Sequence, residues 1–229
     1  MSELVLEASG LSVVHRTAAG GVHALTDAAL TLSAGELVVL VGPSGAGKTT
    51  LLHVLGGIQP VTTGTVRVGD VEVTSASERD VDRVRRDDLG YVFQSFGLIS
   101  ALSAEENVEL PLRIAGVDPA VRAARVASLL ERVGLAAHAR QRPGELSGGQ
   151  QQRVGIARAL AGSPRILLAD EPTGQLDSHT AAQMIDLIAS IARDDGVAVL
   201  LSTHDPMVRA RADRVLEIHD GVLREAVPA

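Results

Sequence analysis

Eight consecutive residues constrain this chain more than any others. Gly42-Pro43-Ser44-Gly45-Ala46-Gly47-Lys48-Thr49 set three glycines, a lysine and a hydroxyl at fixed spacing. Ahead of them, after a turn at Ser33-Ala34-Gly35, residues 36–41 read as a buried strand; behind them, Leu51, Leu52, Val54 and Leu55 recur at helical spacing. A strand that runs through a glycine-rich loop straight into a helix belongs to an α/β layering. Such a loop can turn its backbone N–H groups inward around phosphate oxygens, and the helix N-terminus adds its positive dipole end. Lys48 is placed to reach the outer phosphates, the Thr49 hydroxyl to ligate Mg²⁺, and Thr50 is counted with the loop. Composition sharpens the point. Of the 21 Lys and Arg residues, Lys48 is the one lysine. A tight phosphate-binding loop has room for a compact ammonium and not for a planar guanidinium.

The 229 residues are enough for one domain with a sizeable insertion, and 45% of them are hydrophobic. Aromatics make up only 1%, so the core must rest on Val, Leu, Ile and Ala. No apolar run approaches the roughly 18 residues a membrane span needs. The Ser2-Glu3 start lacks a basic region followed by an apolar stretch, so no secretory leader is expected. The absence of cysteine fits a reducing compartment. A formal charge of −7 argues against nucleic acid or anionic lipid as a partner, so a chain like this working at a membrane needs a protein to hold it there. Between Arg113 and Arg142, six arginines face only Asp118 and Glu131, which reads as a solvated helical surface.

Residues 4–14 and 22–32 read as strands, and 64–73 as a hairpin around Gly69-Asp70. Residues 77–88 form a charged helix and 89–93 a short strand. From about 95 to 160 the pattern is helical throughout. Ser103-Ala104-Glu105-Glu106 has capping-box spacing, and Asp118-Pro119 opens a helix whose apolar face takes Val121, Val126, Leu129, Leu130 and Val133 before Gly134 ends it. Strands return at 165–170 and 197–202 with a helix over 178–193 between them, a unit that implies parallel pairing. Residues 215–218 and 222–224 flank His219-Asp220-Gly221 as a closing hairpin.

The strand Arg165-Ile166-Leu167-Leu168-Ala169 ends in two carboxylates. Asp170 is placed to support a hydrated Mg²⁺, and Glu171 to polarise an attacking water as general base. Leu146-Ser147-Gly148-Gly149-Gln150 reads as a capped helix start with exposed amides. Ser147 caps, the glycines permit close approach, and the dipole favours an anion. One chain would then own two phosphate-binding helix ends. A head-to-tail dimer, each nucleotide touching the loop of one copy and this helix of the other, uses both.

Taken together, the phosphate loop and the Asp170-Glu171 pair resemble P-loop NTPases, and Leu146 to Gln150 is identical to the signature of the ATP-binding-cassette ATPases. The resemblance covers essentially the whole chain. It implies an α/β fold: a RecA-like P-loop core over 1–94 and 161–229, with an antiparallel β subdomain and an inserted α-helical signature subdomain over about 95–160. It implies ATP and Mg²⁺ as ligands. Gln94 looks like the glutamine that touches Mg²⁺ and the attacking water. The segment from Gln94 to Ala101 would receive a membrane permease. Asp177 lies in a loop that crosses the dimer interface, and His204 resembles the histidine that contacts the γ-phosphate. The family usually stacks an aromatic residue on adenine; the matching position here is His15, whose imidazole offers less area.

Within the family, residues 90–96, 106–112 and 169–178 look like the macrolide-export and lipoprotein-release branch. That branch implies an ATP-hydrolysing subunit on the cytoplasmic face of the membrane, peripheral through its permease, which converts closure of an ATP-bound homodimer into mechanical work. Two alternatives are a division-linked permease that regulates cell-wall enzymes and a soluble ATPase of the same family outside transport.

Overall fold

The computed structural model describes residues 3–17 and 20–226; Ser2 of the N-terminal start read above lies outside them. Two sheets carry the architecture. A four-stranded antiparallel sheet has the order β2-β1-β4-β5, from β1 (Leu4–Thr17), β2 (Gly20–Ser33), β4 (Thr63–Val68) and β5 (Val71–Glu72). A six-stranded sheet has the order β10-β9-β3-β8-β7-β6, from β3 (Leu37–Val41), β6 (Leu89–Val92), β7 (Ile166–Asp170), β8 (Ala198–Thr203), β9 (Arg214–His219) and β10 (Val222–Glu225). Its pairs are parallel except β9 with β10, which close as the expected hairpin with Asp220 and Gly221 both at positive φ.

Every residue of β3, β7 and β8 is buried, which is why these strands read as unbroken apolar runs. Successive side chains point to opposite faces. Val39, Leu167, Val199 and Leu201 join one apolar cluster, while Val38, Leu40, Leu168 and Leu200 join another. The second cluster packs under α1 (Lys48–Leu55) and the antiparallel sheet. The first lies against α6 (Ser178–Asp195) and the helices of the middle segment. Among the described residues neither cluster's buried members include an aromatic ring.

Residues 78–87 form α2, capped by Ser77. The middle segment holds α3 (Ala104–Ile114), α4 (Pro119–Arg132) and α5 (Gly148–Ala159), with 3₁₀ turns at Ala136–His138 and Pro143–Glu145. The Ser103 capping box is present, Ser103 and Glu106 each bonding the other's backbone N–H. Asn107, fully buried, accepts from the Ile99 N–H and donates to the Ile99, Leu102 and Ser103 carbonyls, fixing the chain that enters α3.

One helical assignment needs correction. Val121 is 58% exposed, while Val126, Leu129, Leu130 and Val133 are buried. At about 100° per residue, Val121 stands about 140° around the helix from Val126, off the stripe that the other four share.

Parallel register decides where chemistry can gather. Val41 pairs with Thr203, Asp170 with Ser202, and Val92 with Ala169. The loop from 42 to 47, Glu171, His204 and Gln94 therefore leave one edge of one sheet, the carboxyl ends of its strands, where open α/β folds bind ligands.

Candidate active site

The loop between β3 and α1 is shaped by what surrounds it. A Cβ on Gly42 would lie 2.3 Å from the Ile218 carbonyl oxygen, and one on Gly47 would lie 2.4 Å from that of Ala24. Gly47 also sits at φ 109, open to glycine and strained for other residues. It caps α1 without a side chain, so the first-turn amides of α1 have no side-chain acceptor at the N-cap. We expect Gly47→Ala to lower stability by about 2 kcal/mol or more. Urea unfolding would show it; a loss under about 0.5 kcal/mol would contradict it.

Lys48 is only 4% exposed. Its ammonium donates to the Gly42 carbonyl at 2.9 Å and the Pro43 carbonyl at 3.2 Å, and pairs with Glu171 Oε1 at 3.2 Å. Glu171 stands at φ 42, a left-handed conformation that costs a non-glycine residue roughly 1–2 kcal/mol. Ser202 holds it there: the Glu171 N–H donates to the Ser202 carbonyl at 3.1 Å and to Ser202 Oγ at 2.9 Å. The same hydroxyl donates to Asp170 Oδ1 at 2.7 Å, and Asp170 is 4% exposed. Gln94 Nε2 donates to Glu171 Oε2 at 3.2 Å, and His204 Nδ1 is 3.5 Å from that oxygen. Three residues far apart in sequence thus meet on one carboxylate.

This group opens onto a cleft of about 390 Å³ lined by Ser44, Gly45, Gly47, Lys48, Thr49, Thr50, Gln94 and Glu171. Its rim is His15 of β1 together with Val22, His23 and Ala24 of β2. His15 and Val22 are cross-strand partners, so the antiparallel sheet delivers them together.

The remaining candidate residues lie elsewhere in the chain. Ser147 caps α5: its hydroxyl accepts from the Gln150 N–H at 3.3 Å, and the Gln150 side chain accepts from the Ser147 N–H at 2.8 Å. Asp177 caps α6, accepting from the His179 and Thr180 N–H groups, and the Thr180 N–H leads in holding its carboxyl below the usual range. Neither Asp177 nor Ser147, Gly148, Gly149 and Gln150 is among the residues lining the Lys48 cleft. The glycine pair also has a use inside one chain. A Cβ on Gly149 would lie 2.6 Å from Thr180 Cγ2, so α5 and α6 meet closely there.

The sequence reading left out Ser202, whose hydroxyl donates to the Asp170 carboxylate and accepts from the Glu171 backbone N–H. Its signal was a polar residue at the end of an otherwise aliphatic buried strand. It also left out His23, whose place beside His15 depends on the β1–β2 register.

Residues 25–174 match the family model described as ABC transporter. The chain belongs to the ABC transporter family. This cassette is 48% identical over 201 residues to the lipoprotein-releasing system ATP-binding protein LolD of Paramagnetospirillum magneticum, covering 88% of this chain and 89% of that one. It is 44% identical over 206 residues to the ABC transporter ATP-binding protein YtrE of Bacillus subtilis, covering 90% and 89%. The macrolide export ATP-binding/permease protein MacB of Salmonella typhi is 42% identical over 225 residues, 98% of this chain. The cassette spans only about a third, 35%, of the length of that relative. Among solved structures, an ATP-binding cassette captured as a dimer in a post-hydrolysis state with ADP and Pi superposes with a TM-score of 0.90 at 36% identity, covering 98% of this chain and 99% of that one. Among the described residues no helix is long and apolar enough to cross a membrane.

Proposed function

We propose that this chain binds and hydrolyses ATP as the engine of an ABC transporter, closing head to tail with a second copy while bound to a membrane permease. The observation that carries this reading is the convergence of Lys48, Gln94 and His204 on Glu171 at the mouth of the phosphate loop. Residues 1–94 and 161–229 act as the core and 95–160 as the signature subdomain.

In the bound state the backbone of residues 42–49 cradles the phosphates, and Lys48 exchanges Glu171 for β- and γ-phosphate oxygens. Glu171, freed, takes a proton from water aligned with the γ-phosphate, and Gln94 and His204 orient that water. The second copy supplies Ser147, Gly148, Gly149 and Gln150 to the outer face of the γ-phosphate, with Asp177 crossing the interface. This explains why those residues lie apart from the cleft in one chain.

The protein's oxygen donors for Mg²⁺ are the Thr49 hydroxyl, the Gln94 amide and the Asp170 carboxylate. Such a sparse set of hard donors fits an ion that keeps waters and takes phosphate oxygens, and among the described residues there is no dense His/Cys/Asp/Glu cluster of the kind a tighter metal cage needs. When bound, Mg²⁺ supplies charge neutralisation at the β- and γ-phosphates.

At the rim, His15 stacks on the base. His15→Tyr is expected to tighten ATP binding about 3- to 10-fold, as an extra aromatic contact of about 1 kcal/mol implies, and His15→Ala to weaken it. Binding of inorganic tripolyphosphate should not change. Equal ATP affinity across the three proteins would remove His15 from the base site.

The permease docks at the segment 94–101, on the cytoplasmic face of the membrane, where Phe93, Ile99 and Ile114 expose apolar surface. Beside it lies a cleft of about 480 Å³ lined by Tyr91, Leu110, Pro111, Ile114 and Arg158. The likeness to the LolD and MacB proteins favours the export or mechanical-work branch. Glu171→Gln protein trapped with Mg-ATP in native membranes tests the assignment. Copurification of a permease with few spans and a large extracytoplasmic domain supports the branch. A many-span permease discards the branch, and bait absent from the membrane fraction discards the transporter reading.

A further inference from the structure

Gly148 and Gly155 are seven residues apart in α5, two helical turns, and so share a face. Arg158 continues that face one turn further. The chain following Gln94 lies along it. A Cβ on Gly148 would be 3.6 Å from Phe96 Cζ and 3.9 Å from Leu176 Cδ2, and a Cβ on Gly155 would be 3.4 Å from the Phe96 carbonyl oxygen. Both positions are therefore in ordinary packing range of the segment that follows Gln94, which lies against this face. Arg158 grips the same stretch from the far end, donating Nη1 to the Gly97 carbonyl at 2.6 Å and Nη2 to the Phe96 carbonyl at 3.3 Å. Phe96 and Gly97 stand at φ 60 and 62, two successive left-handed residues that fold the chain back onto the helix. For Phe96 this conformation is strained, and the bond from Arg158 to its carbonyl helps to hold it.

The consequence is a short mechanical path. Gln94, two residues before Phe96, bonds the carboxylate assigned as general base. The ring of Phe96 faces Gly148, next to the Ser147 cap that meets the other copy's ATP in the sandwich reading, and Leu176 of the segment leading to the Asp177 cap faces the same glycine. Arg158 lines the cleft next to the permease segment. One stretch of four residues, 94–97, thus touches the base of its own nucleotide site and the phosphate-facing end of α5, and reaches the docking cleft through Arg158.

We propose that Phe96 is a positioning residue, holding the Ser147–Gly148 end of α5 in register for the second subunit's ATP, with Arg158 anchoring it from the docking side. The inference rests on the sandwich reading above. It deepens that reading by naming the link through which occupation of the cleft reaches the phosphate.

Its test separates nucleotide binding from dimer closure. In the Glu171→Gln background, the ATP affinity of the dilute monomer and the dissociation constant of the ATP-bound dimer would be measured by a fluorescent ATP analogue and by sedimentation. Phe96→Ala should leave the monomer's affinity within about twofold and weaken the dimer about tenfold or more. Phe96→Leu should recover most of that loss. Arg158→Gln, which releases the two carbonyls without touching the ring, should give the same split and serves if Phe96→Ala does not fold. Undiminished dimerisation of Phe96→Ala overturns the proposal. So does a parallel fall in nucleotide affinity, dimerisation and thermal midpoint, the mark of a merely structural role. If the Glu171→Gln parent itself stays monomeric with Mg-ATP, the sandwich reading falls and this inference with it.

Discussion

Glu171→Gln is expected to lower steady-state phosphate release by about a thousandfold while ATP affinity holds or rises. The carboxylate is held in a left-handed backbone conformation by two bonds from its N–H to Ser202, and Lys48, Gln94 and His204 gather around its oxygens. Glutamine keeps the shape and the backbone bonds but cannot accept the water's proton, and general-base catalysis is worth roughly 10²–10⁴ in rate. Binding should not suffer, because Lys48 would no longer have to leave a carboxylate for the γ-phosphate. A rate within tenfold of wild type would remove Glu171 from the role of base.

Lys48→Arg is the sharper test of the loop, since it keeps the charge. The ammonium sits 4% exposed against two loop carbonyls at 2.9 and 3.2 Å. A planar guanidinium needs more width and presents its donors in a fixed fork, which that slot does not offer. ATP affinity, measured by calorimetry, should fall at least about 100-fold, or about 2.7 kcal/mol. A loss under about threefold would show that only the charge matters and would undo the argument drawn from the solitary lysine.

The elements that the sequence made legible are those specified locally. The β3–loop–α1 passage needs only an apolar run, glycines at set positions and a following helical stripe. The caps at Ser103, Asp118 and Ser147 are likewise local, since hydroxyl or carboxylate and amide lie within three residues of each other. What stayed hidden depends on strand register. Nothing near Gln94 or His204 announces that both end on Glu171, because that meeting follows from Val92 pairing with Ala169 and Asp170 with Ser202. Ser202 was hidden for the same reason. The glycine pair reads as room for a phosphate, whereas within the chain Gly149 also makes room for Thr180. Packing between helices distant in sequence leaves no periodic trace. Val121 failed more simply: an apolar residue off the stripe adds to hydrophobicity without adding to the buried face.

The central claim is that ATP is held between two copies of this chain, with Lys48 on one side and Ser147 on the other. Sedimentation velocity of the purified Glu171→Gln protein, with and without Mg-ATP, tests it most directly. The account predicts a monomer that becomes a dimer only when ATP is present, and that stays monomeric with ADP or when Ser147→Arg is added. A protein that binds ATP tightly and sediments as a monomer throughout would contradict it.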